Sequence, residues 1–572
     1  MGLLDDLDAL LLSLFAGSNA LTILLTVAVG GFLAFLYYDS PEPDTHPMLL
    51  ARGASASPVR MPGESAVYRS QELPHGYPLR TGLGVKYPGA PAYSGGKNGD
   101  LRDIWRRVSG KLPLEGGDAD ANTGKILTVL GKEEVVEHDI KELEREIAAV
   151  GKFLKGHKAQ RVAVYLPNCI ELLAVVFAGS FFGFDTILVP YNQPPEALTS
   201  LLRETEADSL IAEAGSLPLE DVGKDVPNLH QVVWVVEKTS RHVDWSEVPA
   251  GVGGKIDVVV WHELSREQNG SSAELPADDS KQTPGGIVAV WQVAPGAQSE
   301  IVEFSQANLT AAIASHLSVL PRPHRLTPSD LFLSAESLTH TYALTLTLAA
   351  LFSHATVALT SVAGAGVPLA ASSVSVAPTV IVASAETAAS MHEEEREKLS
   401  ASTVRRVAHT AQTRVLAGGA MPSPDGMWAR VGGGKTGLGT EPGKLRLLYV
   451  SERAGMGGHK PPMTAQELSD LRVFTGARVV YALTAAKVTG AAAQTTLFDY
   501  RNEGKDKAGK PHVHFGVPPS SLELKVVDAR GVQTTDDKAE GEVVAMGPSV
   551  AGGEARLGFL GRFRDDGCLA YL

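Results

Sequence analysis

The stretch 161–212, RVAVYLPNCIELLAVVFAGSFFGFDTILVPYNQPPEALTSLLRETEADSLIA, constrains the fold more than any other part of this 572-residue chain. Residues 162–166 form a short apolar run stopped by Pro167 and Asn168, the pattern of a strand buried on both faces. Residues 171–182 are apolar on nearly every side and long enough for a buried helix. Residues 186–189 read as a second strand closed by Pro190, 196–204 as an amphipathic helix, and 209–212 as a third strand. Strand, helix, strand, helix, strand at this spacing requires right-handed crossovers and a parallel sheet covered by helices. The fold class is α/β.

The same periodicities extend the pattern. Residues 100–109 and 137–155 are predicted helices; in the second, Ile140, Leu143, Ile147, Val150 and Leu154 share one face. Residues 231–236 and 256–261 are strand candidates, and 267–285 and 417–444 are polar loops. The second loop carries VGGGKTGLG, but a phosphate-binding G-x-x-x-x-G-K-[ST] would need glycine where Ala429 stands, and no strand leads into it. The net charge of −14, with no standout Lys/Arg cluster, excludes nucleic acid as a partner. Cys169 and Cys568 are the only cysteines, which indicates neither a disulfide framework nor a metal site and fits a reducing, cytosol-facing location.

Three regions follow along the chain. Residues 1–38 read as a membrane anchor: 20–38 carry no charge, are about long enough to span a bilayer as a transmembrane helix, and end in Tyr37 and Tyr38 at interface depth. Asp5, Asp6 and Asp8 precede the run, without any Lys or Arg, which does not suit a cleaved signal peptide. The first cations, Arg52 and Arg60, follow the span and place the body in the cytosol; the endoplasmic reticulum is preferred to the outer mitochondrial membrane for this single-pass arrangement. Residues 39–100 are rich in Pro, Gly and Ser and read as an extended linker and arm. Residues 101–572 form the large domain.

The run VAVYLPNCIELL…FAGSFFGFDTILVPYNQ resembles the adenylate-forming (AMP-binding) superfamily of acyl-CoA synthetases, in which a strand ends in Pro-Asn and is followed by a helix, a glycine and a strand ending in Pro. The resemblance extends, with gaps, from about Glu64 to the C-terminus, and GESAVYRSQELPHGYPLRTG is similar to the N-terminal arm of the long-chain enzymes. It implies an acyl-CoA synthetase-like large domain of parallel sheets layered with helices plus a distorted β-barrel-like part. An active member would use ATP, Mg2+ and CoA.

The resemblance also locates the chemistry. The phosphate cradle corresponds to 287–309, IVAVWQVAPGAQSEIVEFSQANL, where the loop 292–301 has lost its hydroxyls, most glycines and its lysine. Pro295 has no N–H to offer a phosphate and Glu300 repels one. His340, in LFLSAESLTHTYALTLTLAALFSHATVAL, stands at the acyl-pocket wall; a helix-end histidine with a local hydrogen bond is the other reading. The signature Tyr-Gly-x-Thr-Glu corresponds to Tyr481-Ala482-Leu483-Thr484-Ala485. Tyr481 and Thr484 are thus a vestigial nucleotide site, while the Mg2+ carboxylate has become Ala485. Phe559, in LGFLGRFRDDGCLAYL, replaces the ribose-binding aspartate, and the small C-terminal domain with the catalytic lysine is expected to be absent.

Losing cradle, metal ligand, ribose clamp and lysine together removes most transition-state stabilisation. The expectation is a catalytically inactive, membrane-anchored binding or scaffold module of lipid metabolism, with no catalytic residue, no metal ligand and no cofactor. Two alternatives stand beside it: an active long-chain fatty acid–CoA ligase, and a protein that binds fatty acid or acyl-CoA without turnover.

Overall fold

The structure, a computed structural model, describes residues 20–572 except 39–42, 88–89, 92, 94, 113–123, 131–133, 237–255, 268–273, 277–281, 293–295, 433–434, 456–460, 502–512, 530 and 536–537. Three sheets carry the described chain. The first has seven strands, in the order Ser299–Phe304, Ile287–Gln292, Asp185–Leu188, Arg161–Tyr165, Ser209–Glu213, Gln231–Val235, Asp257–Val260. All neighbours are parallel except the hairpin of the first two. The organising stretch therefore folds as its periodicity dictates, and Val162, Ala163 and Val164 have no exposed surface.

Helix Ile170–Phe182 is buried on every residue but Glu171 and ends at Gly183, whose φ of +82° closes the helix in a backbone conformation that a side chain disfavours. Phe177 on this helix lies 5.1 Å, centroid to centroid, from Trp105 of helix Leu101–Val108. Burying each ring contributes about 1.5–3 kcal/mol.

The second sheet has eight strands, in the order Ala493–Gln494, Arg478–Thr484, Leu447–Arg453, Val380–Ser384, Leu331–Ser334, Thr356–Thr360, Ile126–Leu130, Glu134–His138. It is parallel except at its two edges. The Pro-Asn that stops the first strand of the organising stretch joins the two large sheets. Asn168 Nδ2 donates to the Glu336 carbonyl at 2.8 Å, and Asn168 Oδ1 accepts from the Leu338 amide at 2.8 Å. The asparagine satisfies both edges of a buried turn, which an apolar residue would leave unpaired.

The third sheet is antiparallel, in the order Ala54–Arg60, Ala66–Ser70, Glu523–Val527, Glu540–Met546, Glu554–Phe563, Leu569–Tyr571. It stands where a distorted barrel-like part was expected, but its first and last strands do not pair among the described residues, so it is an open sheet. Its first two strands correct the reading of 39–100 as an extended linker. Pro58 argues against a strand in sequence, but the strand containing it lies at the sheet edge, where a missing N–H costs no ladder bond.

The anchor also needs correction. Residues Ala20–Tyr38 do form a helix. The side chains described along it, 22–32, are exposed. Among the described residues no helix is long and apolar enough to cross a membrane.

Candidate functional site

The carboxyl ends of the parallel strands in the two large sheets converge, the place where open α/β sheets present side chains to ligands. Trp291 stands near the end of strand Ile287–Gln292, its ring centroid 5.4 Å from that of His340. His340 occupies the N-cap position of helix Thr341–Phe352. Thr484 ends strand Arg478–Thr484, with Oγ1 3.4 Å from His340 Nε2. Arg453 ends the adjacent strand and is in register with Thr484.

The Thr484 hydroxyl donates to the Glu452 carbonyl at 2.8 Å. Its oxygen is left to accept Nε2–H of a neutral imidazole, and Nδ1 then carries a lone pair with no partner among the described residues. Burial, followed by the nearby Arg453 charge, holds the His340 pKa well below the ordinary histidine range. The ring is neutral at physiological pH.

Arg453 closes the site from within. One guanidinium nitrogen lies 3.0 Å from Glu336 Oε1, and the other donates to the Gln292 carbonyl at 3.1 Å. Glu336 has no exposed surface, and its carboxylate also accepts from the Ser337 amide at 3.3 Å. An unpaired carboxylate at this depth would cost several kcal/mol, and the guanidinium offsets that cost. The pair ties the ends of three strands: Leu331–Ser334 through the turn after it, Leu447–Arg453, and Ile287–Gln292.

Tyr481 is placed apart from His340 and Thr484. It lies three residues before Thr484 in an extended strand, so the two side chains leave opposite faces. Its ring is 5.3 Å from that of Phe515 and has no exposed surface. Its hydroxyl donates to Glu452 Oε2 at 2.7 Å and accepts from the Met463 amide at 3.0 Å. Burial raises the Glu452 pKa to about 7, the Tyr481 hydrogen bond opposes the rise, and Glu386 adds to it.

These residues do not fit a magnesium nucleotide. Ala485 is buried, has no side-chain oxygen and gives its carbonyl to the Val488 amide, and the buried carboxylate of Glu336 is neutralised by Arg453, whereas Mg2+ requires free anionic or carbonyl oxygens. In the cradle loop, the Gly296 amide donates to Gln193 Oε1 at 3.1 Å, and Glu300 lies 3.1 Å from Lys487 Nζ. Val293 and Pro295 lie outside the described residues. Phe559 is buried in the antiparallel sheet. The site can accept a hydrogen bond at His340 Nδ1.

Glu336 and Arg453 were not singled out in the sequence. A signal exists: a carboxylate inside the apolar run LFLSAESL, and a cation directly after the apolar run LLYVSE, each need a partner if buried.

The sheets and the strand-end cleft give the chain the fold of the large domain of acyl- and aryl-CoA ligases. Residues 121–284 match the family model for AMP-binding enzyme. An anthranilate CoA ligase solved with anthranoyl-AMP superposes with TM-score 0.55 at 15% identity, over 85% of this chain and 79% of that one. A long-chain-fatty-acid-CoA ligase from Archaeoglobus fulgidus gives TM-score 0.54 at 13% identity, over 86% of each chain. The inhibitor-bound N-terminal domain of FACL13 from Mycobacterium tuberculosis gives 0.55 at 13%, over 83% of this chain and 99% of that one. No curated protein matches the sequence. The resemblance to the adenylate-forming superfamily is thus carried by the fold and by the matched segment.

Proposed function

We propose that this protein is an acyl-CoA synthetase-like module that works by binding, as a scaffold or adaptor in lipid metabolism, and forms no acyl-adenylate. The observation that carries this reading is the Arg453–Glu336 pair, a self-contained ion pair in the cleft where the reaction would need a metal-binding carboxylate. Ala485, buried in the position the resemblance gives to that carboxylate, supports it. The test is fatty-acid-dependent pyrophosphate exchange by the full chain with ATP, Mg2+ and palmitate. The expected result is no exchange above a blank without protein; exchange that depends on palmitate and is lost in Tyr481→Ala sinks the reading and promotes an active ligase using ATP, Mg2+ and CoA.

A second reading rests on His340. An unpartnered Nδ1 at this depth can accept a hydrogen bond from a bound acid, which favours capture of fatty acid or acyl-CoA without turnover. Saturable palmitate binding, weakened in His340→Leu and without AMP release, distinguishes it.

The helix Ala20–Tyr38 is read as the contact with a lipid surface, the body lying in the cytosol and the endoplasmic reticulum being the preferred membrane. Its exposed Leu24, Leu25 and Val27 support this. Removing residues 1–38 is expected to release the protein to the soluble fraction, and retention after a carbonate wash counts against it. Neither Asn269 nor Asn308 is expected to carry glycan; Asn269 lies outside the described residues, whereas Asn308 Nδ2 donates to the carbonyls of Pro548 and Val550. A mobility shift on endoglycosidase treatment places the body in the lumen.

A further inference from the structure

The polar loop holding VGGGKTGLG is not a nucleotide phosphate loop, yet it is not a bare surface loop either. Lys435 and Thr436 line an open-sided cavity of about 190 Å3 between helices Ala385–Ser400, Thr403–Ala417, Met427–Val431 and Ala465–Thr475. None of the cleft residues described above belongs to it.

The lining charges are unbalanced. Lys398, Arg405 and Lys435 face the cavity, and Glu395 is its carboxylate. Glu395 is taken by Lys398 Nζ at 2.7 Å. His409 also lines the cavity, with Nε2 3.2 Å from Asp470 Oδ1; the second carboxylate oxygen of Asp470 lies 3.0 Å from His392 Nε2. That aspartate is committed to two histidines and to Gln466. Lys435 Nζ donates to the Val473 carbonyl at 3.0 Å and to Gln412 Oε1 at 3.3 Å, both neutral acceptors. Two of its three protons are thereby used, and no carboxylate pairs with it among the described residues. Burial lowers its pKa, the mark of a cation left without a counter-charge. The Arg405 guanidinium has no hydrogen-bond or ion-pair partner among the described residues. The apolar wall is Phe474, Val473 and Leu399.

Holding Lys435 against the C-terminal carbonyls of helix Ala465–Thr475 is a sufficient structural role for the lysine alone. It does not account for Arg405, for the cavity, or for the lysine's remaining proton. We propose that the cavity is a binding site for a small oxyanion, namely inorganic phosphate or the phosphoryl group of a small phosphate ester, held between Lys435 and Arg405. Lysine supplies a point charge and arginine a planar fork, the combination that suits tetrahedral phosphate oxygens. The volume is a little above the roughly 150 Å3 that takes up benzene, enough for a phosphoryl group and a short carbon stub.

The experiment is isothermal titration of the full chain with inorganic phosphate in a chloride buffer of matched ionic strength. Saturable binding is expected, weakened at least tenfold in Arg405→Gln and in Lys435→Met, and unchanged in Lys141→Met, an exposed lysine elsewhere. Lys435→Met also removes a helix-end contact, so Arg405→Gln, which breaks no side-chain bond among the described residues, decides if the lysine variant melts early. Titration with glycerol 3-phosphate separates the sources, tighter binding than free phosphate favouring an ester. Absence of saturable heat with both probes, or equal affinity in wild type and Arg405→Gln, overturns the site.

Discussion

The guanidinium of Arg453 lies 3.0 Å from the carboxylate of Glu336, 117 positions away in sequence, and the chain between them passes through two further strands of the same sheet. Removing one partner leaves the other charged and buried. Arg453→Met is expected to destabilise the protein by about 3 kcal/mol, near the lower end for a broken buried pair because the arginine is partly exposed. Arg453→Met with Glu336→Leu is expected to recover most of that loss. Urea unfolding of the two single variants and the double variant measures it; additive losses show that the pair is not coupled.

Glu452 makes stability depend on pH near neutrality. Its pKa is raised from 4.5 to about 7, so the folded protein holds this proton more tightly than the unfolded chain does. The contribution is complete below pH 4.5 and is lost as pH rises through 7, on the order of 3 kcal/mol in all. Unfolding midpoints at pH 5.5 and 8.5 are expected to differ less in Glu452→Gln than in wild type, since glutamine keeps the bond from Tyr481 and does not titrate. An identical difference in both proteins removes Glu452 as the source.

The layered core was legible because burial imposes its own spelling. Arg161–Tyr165, Ile170–Phe182 and Asp185–Leu188 fall within a residue or two of the apolar runs that announced them. The edge strand Ala54–Arg60 was hidden because its hairpin is held by a strand from distant sequence and, Val59 apart, its residues are small, polar or Pro58. At the cleft, His340 and Thr484 were found through resemblance to a family, and they do come together. The same resemblance gave Tyr481 the adenine and Thr484 the phosphate of one nucleotide site; strand alternation turns the two side chains to opposite faces. Glu336 and Arg453 show why a site resists reading: their pairing is a tertiary fact, and neither neighbouring sequence encodes the other.

Asp44 fastens the N-terminal arm. Its Oδ2 accepts from the Tyr500 hydroxyl at 2.6 Å and from Arg478 at 3.1 Å, and its amide donates to the Gly419 carbonyl. Asp44→Ala is expected to cost about 1–3 kcal/mol locally and to speed amide exchange across residues 43–53 without changing exchange in strand Arg161–Tyr165. Uniform acceleration in both segments shows that the arm is not a separate unit.

Gly285 sits where two elements touch. A Cβ there would come within 1.8 Å of the Phe184 carbonyl oxygen and 2.4 Å of its carbon, both backbone atoms that cannot swing aside. Gly285→Ala is expected to destabilise by more than about 3 kcal/mol or to prevent folding, whereas Gly156→Ala, which meets nothing within 4 Å, is tolerated. Equal melting temperatures for the two variants contradict the close approach.

The antiparallel sheet joins the two extremes of the chain. Ser65 and Val526 exchange hydrogen bonds, and Glu64 pairs with Lys525 across 461 residues. At about 5–20 residues per second, the ribosome needs roughly 23–90 s to deliver the second half of that contact after the first has emerged. During this interval the hairpin of Ala54–Arg60 and Ala66–Ser70 presents an unpaired inner edge, while the parallel layers can already condense behind it. The sheet is therefore the last seam to close in a newborn chain, and its waiting edge is where a holding chaperone would act.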